Sequence, residues 1–119
     1  NDVTDAGGAY IADLDDQING VLFAVKFSCI ELPTGGDPDI NLVFSATGTN
    51  PQDAAVTSGT VLLNNGDLTL GESATTAAGA TVIAGGTNAK NYVYLTSGTA
   101  TNAAYTAGKL IITFYGANF

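Results

Sequence analysis

The chain has 119 residues, with three lysines, no arginine or histidine and 11 acidic residues, for a formal net charge of −8. Its cations, Lys26, Lys90 and Lys109, are scattered, which argues against nucleic acid or an anionic membrane as partner, because both need clustered Lys or Arg. The lone Cys29 cannot form an internal disulfide, and a chain of this length buries about two thirds of its unfolded surface in one core, so its stability is expected to come from packing.

In chain order, residues 1–9 hold two aspartates and a Gly pair without an apolar period, and are expected to be an extended arm, with a single domain over 10–119. No basic-then-apolar leader opens the chain, and with no methionine present Asn1 is not expected to be a translation start. A short strand is expected over 10–14, then an acidic turn over 15–20. The run VLFAVKFSCI at 21–30 lies in the longest stretch free of Gly, Pro, Asn and Asp. Its period of two places Val21, Phe23, Val25, Phe27 and Cys29 on a core face, with Lys26 and Ser28 on the other.

A loop over 33–39 leads to a second strand in which Ile40, Leu42, Phe44 and Ala46 alternate with Asn41, Val43 and Ser45. Residues 48–58 are turn-rich. Residues 60–63 and 67–70 flank Asn64-Asn65-Gly66 and are expected to pair as a hairpin. The Ala, Ser and Thr of 72–79 are compatible with a helical turn, although the threonines and flanking glycines oppose a long one. A weak strand is expected at 81–84 and a stronger one at 91–96, both of whose faces carry large side chains. After a loop over 98–108, KLIITFY at 109–115 closes the fold. Seven to eight short strands and no sustained helical stripe predict an all-β, antiparallel β-sandwich or jelly-roll-like fold.

Candidate chemistry is sparse. Asp13, Asp15 and Asp16 resemble a calcium loop, but the twelfth position counted from Asp15 is Lys26 rather than a bidentate Glu, so a solvated acidic turn is the preferred reading. A weaker oxygen cage remains open if Asp37 and Asp39 of the next loop meet the first three. Cys29 has no histidine to activate it and reads as core. Lys26 and Ser28 share a face, but nothing around them predicts an oxyanion hole. Carboxylate pairs for glycoside cleavage require a separation the chain does not reveal. Tyr10, Tyr92, Tyr94, Tyr105 and Tyr115 suit half-buried sheet positions or a subunit interface, with a sugar-stacking platform as the rival. Tyr115 and the terminal Phe119 match the end of an outer-membrane barrel strand, but spanning strands need about 9–11 residues and only 21–30 reaches that length. No cofactor, structural metal or enzymatic activity is expected.

A composition rich in Ala, Gly and Thr, poor in charge and without His or Trp, an extended lead-in, and a last strand entered through TAGKLIITFYG (Thr106 to Gly116) together resemble small β-sandwich auxiliary proteins of tailed-bacteriophage capsids, the cement or decoration proteins. The resemblance implies a structural viral protein on the capsid surface of a virion, bound to the major capsid protein or other shell subunits and forming a homotrimer. Contacts are then expected from Asn1, Asp2 and Val3 of the arm, from Tyr10, Tyr105 and Phe119, and from the long loops. The alternative class is a carbohydrate-binding or fibre-tip adhesion module, extracellular in location.

Overall fold

The computed structural model describes residues 8–46, 56, 59–64, 66–76, 90–97 and 105–117. Among the described residues, seven strands and one helical turn follow in the order β1 (Gly8–Asp15), α1 (Asp16–Asn19), β2 (Val21–Thr34), β3 (Ile40–Ser45), β4 (Gly59–Leu63), β5 (Ser73–Thr75), β6 (Lys90–Ser97) and β7 (Ala107–Ala117). They form a four-stranded sheet, β1-β6-β3-β4, and a three-stranded sheet, β5-β2-β7. All the strand pairings are antiparallel. The fold is an all-β sandwich.

The inner faces of the two sheets meet in two adjoining clusters. Leu14, Leu22, Val25, Leu42, Phe44 and Val93 form the first, with Ile112 and Phe114 packed against them. Phe27, Cys29, Ile40 and Leu68 form the second. Full burial of side chains of this size contributes about 1.5–3 kcal/mol each. β3 lies between two neighbours and all six of its residues are buried, so its outer row, Asn41, Val43 and Ser45, is covered as well.

β2 differs from its expected form in a way that decides what the surface looks like. Phe23 is 51% exposed and Leu22 is buried, the reverse of the expected alternation. The cause lies in the register with β7, where Leu22 faces Gly116 and Ala24 already faces Tyr115, so Phe23 is an extra residue. Such a bulge resets the parity, and Leu22 and Val25 both point inward although they are three apart. A second shift between Cys29 and Glu31 leaves out Ile30, which is 48% exposed. β2 also continues through Pro33 to Thr34 instead of ending in the expected loop; the proline sits within a further register shift, where a missing N–H is tolerated.

The expected hairpin over 60–70 is not formed. The Asn-Gly turn is present, with Gly66 at φ 67 and its N–H donating to Asn64 Oδ1 at 3.2 Å. The chain after it crosses between the sheets: Asp67 bridges Asp39, and the Leu68 N–H donates to Pro38 O as its side chain enters the core. Burial of Leu68 outweighs a second hairpin strand. Glu72 then caps a turn by accepting from Thr69 N and Thr69 Oγ1 at 2.8 and 2.9 Å, and that turn is tied to both the N–H and the C=O of Cys29. Residues 73–75, compatible by sequence with a helical turn, become β5 instead, and Thr76 Oγ1 accepts from Val25 N at 3.0 Å. The expected strand at 81–84 lies outside the described residues, as do most of the 48–58 and 98–108 loops.

β7 is held closely at both ends. A Cβ on Gly108 would lie 3.0 Å from Pro33 Cα, and a Cβ on Gly116 would lie 2.5 Å from Asn19 O. The second approach is to backbone that cannot rotate away. Gly116→Ala is therefore expected to lower stability by about 1–3 kcal/mol, read as a lower urea midpoint with an unchanged slope.

Candidate interaction surfaces

The acidic residues do not converge as an oxygen cage would require. Asp15 pairs with Lys90 at one end of β6, and Ile40, next to Asp39, pairs with Ser97 at the other. Seven strand steps separate them, about 23 Å. The pairing of Asp13 and Asp15 with Asp37 and Asp39 is thus ruled out by topology, and among the described residues no group of three or more ligating side chains comes together to hold a metal. Asp13 instead meets Lys90 at 3.5 Å.

At the far end, Asp37 Oδ1 accepts from Asp39 N at 3.0 Å, and Asp39 Oδ1 is buried without a hydrogen-bond partner. Burial first, then the carboxylates of Asp37 and Asp67, push the Asp39 carboxyl above its ordinary value. Tyr105 donates its hydroxyl to the Asp37 carbonyl and is half-buried against the second core cluster. It pins a loop; an exposed platform would need its ring free. Asn1, Asp2, Val3 and Phe119 lie outside the described residues.

Cys29 is fully buried, its Sγ 3.5 Å from Glu31 O. Ser28 Oγ meets Ser73 Oγ at 2.8 Å, a cross-strand pair between β2 and β5 that satisfies the hydroxyl structurally.

Two outer faces carry the informative side chains. On the four-stranded sheet, Tyr10 stacks edge-on to Tyr94 at 5.8 Å and tilted to Tyr92 at 6.4 Å. Tyr94 is buried, Tyr92 half-buried and Tyr10 exposed. Desolvation on this face and the Asp13 carboxylate raise the Tyr10 phenol above its ordinary value. On the three-stranded sheet, Phe23, Ile30, Ile111 and Tyr115 are exposed, with the Phe23 and Tyr115 rings 6.4 Å apart. The residues 21–30 signalled apolar side chains on both faces, but not the bulges that sort them.

A cleft of about 490 Å³ opens between the sheets, lined by Ile11, Pro33, Ile40, Tyr105, Leu110 and Ile112 among others. Ile11 reaches it through another bulge, the extra residue between Tyr10 and Ala12 in the pairing with β6.

Asp39→Asn is expected to stabilise the protein at neutral pH by less than about 1 kcal/mol, because it removes a carboxylate that burial and two like charges disfavour. The folded-state carboxyl titrates above the unfolded one, so stability falls as pH rises from the ordinary Asp value through the raised one. Thermal midpoints of the two proteins should therefore coincide in acid and separate toward neutrality; a gap that persists in acid would refute this origin. No protein-family model matches the chain, and no curated protein or solved structure is detectably similar to it, so the functional reading rests on these surfaces.

Proposed function

We propose that this chain is a structural, non-enzymatic subunit that binds the outer surface of a viral shell and reinforces it, as a cement or decoration protein does. The supporting observation is the pair of bulges in β2. Each inserts one residue, and in each case that residue is a large apolar side chain, Phe23 or Ile30, turned into solvent from the central strand of its sheet. Bulges that re-aim side chains are functional features more often than defects. With Ile111 and Tyr115 on the neighbouring strand they form an exposed apolar face, the surface character that marks a protein-binding site. The apolar face supports a protein partner; the choice of a viral shell follows the resemblance in composition and in the closing strand.

The second reading, a carbohydrate-binding module, is favoured by one observation, the Tyr10, Tyr92 and Tyr94 cluster beside Asp13. Of these rings only Tyr10 is exposed enough to stack on a sugar. The outer face of β2 and β7 carries four exposed apolar side chains, Phe23, Ile30, Ile111 and Tyr115.

Phe23→Ser combined with Ile30→Ser is expected to leave the fold intact and reduce co-sedimentation with assembled shells by about tenfold or more, since truncating central apolar anchors typically costs over 1 kcal/mol each. Unchanged co-sedimentation would overturn the face assignment. Glycan binding lost on Tyr10→Ala, with no shell association by the unmodified protein, would establish the second reading in place of the first.

A further inference from the structure

We infer that β7 is a self-association edge, pairing antiparallel with β7 of a second copy. The inference stands apart from the shell-binding reading, since it concerns only copies of this chain. Among the described residues, β7 is the outermost strand of the three-stranded sheet, and it is eleven residues long. It contains Leu110, Ile111, Ile112, Phe114 and Tyr115, yet no residue in it is buried, whereas every residue of β3 is. Its inward side chains, Leu110, Ile112 and Phe114, are only half covered, and Leu110 and Ile112 line the open cleft.

Natural sheets protect a long apolar edge with proline, inward charge, a bulge on the edge strand or a covering element. β7 has none of the first three, and among the described residues no strand other than β2 pairs with it. It runs without an extra residue from Lys109 to Ala117, the register shifts falling on β2, and its one charge, Lys109, sits near its start and is paired with Glu31 at 3.5 Å. An edge left in this condition is built to be paired.

Charge selects the occupant. All eleven carboxylates lie in residues 1–72, and residues 73–119 carry Lys90 and Lys109 with no acid. Two copies of a chain at −8 repel through most of their surfaces. β7 is a long apolar edge on which they meet without opposing carboxylates. A two-fold axis near Ile112 sets Leu110 against Phe114 of the second copy on the inner face, closing the mouth of the cleft. On the outer face it brings Lys109 over the Tyr115 ring of the other copy, a cation–π contact. The result is one continuous six-stranded sheet across the pair.

Analytical ultracentrifugation of the purified chain, at concentrations up to about 1 mM, should show a species of twice the 11.9 kDa monomer mass. Its dissociation constant should fall as salt rises, because screening relieves repulsion between like-charged copies. The double variant Ile111→Glu, Thr113→Glu alters exposed positions of the edge. It should keep the wild-type circular dichroism yet weaken association by about tenfold or more through opposed like charges. Leu70→Glu, also exposed but in the turn before β5, should leave the dimer unchanged. A chain monomeric at every concentration overturns the inference. So does a dimer that survives the double variant, a dimer that weakens with salt, or β7 amides that gain exchange protection only when a different protein is added.

Discussion

The antiparallel ladder between β2 and β7 is the constraint on which the rest depends. β2 is fourteen residues long and is the one strand that contacts both neighbours in its sheet, so its parity fixes which side chains reach the core. A strand has period two, and a slip of one residue would send Leu22, Val25, Phe27 and Cys29 to solvent together. β2 keeps all four buried by taking up an extra residue at Phe23, between Leu22 and Val25; a second extra residue, Ile30, comes after Cys29. Interior and exterior are therefore set by the same device at Phe23: the insertion that preserves the core places a large apolar residue outside.

Much of the architecture was legible because it follows from strict alternation. β3, β6 and the body of β7 have the residues their period demands, and the turn glycines fall where positive φ is needed, as at Gly20 after α1 and at Gly66. What was not legible shares one physical origin, competition between local pattern and burial elsewhere. Phe23 matches the core period of its neighbours, and only pairing with β7 reveals that it is the inserted residue. Residues 67–70 carry a hairpin's sequence, but Leu68 finds a deeper site between the sheets than a second strand beside β4 would give it. Residues 73–75 lack any strand signature and become one because β2 offers a free edge.

The fates of the candidate residues were legible only in part. That Cys29 would lie in the core followed from residue chemistry alone. Whether Asp13 and Asp15 could meet Asp37 and Asp39 depended on strand order, which places them at opposite ends of β6. The tyrosines divide by topology in the same way. Tyr10, Tyr92 and Tyr94 come together because β1 pairs with β6, while Tyr105 is drawn inward by the Asp37 carbonyl and Tyr115 joins Phe23 across the β2–β7 ladder. No spacing in the chain separates these fates.

The uneven distribution of charge gives the exposed apolar residues a physical context. A net charge of −8 keeps copies apart at long range, where the Debye length of about 8 Å at physiological salt sets the reach of repulsion. At contact the balance changes, because apolar burial contributes about 25 cal/mol per Å² wherever carboxylates are absent. The outer face of β5-β2-β7 and the edge of β7 meet that condition: β5 and β7 contain no acid, and Glu31 of β2 is already paired with Lys109. Repulsion over the acidic part of the surface and attraction over this part act together to restrict how the molecule can be approached. Specificity of this kind needs no motif, since it arises from which strands carry charge and which do not.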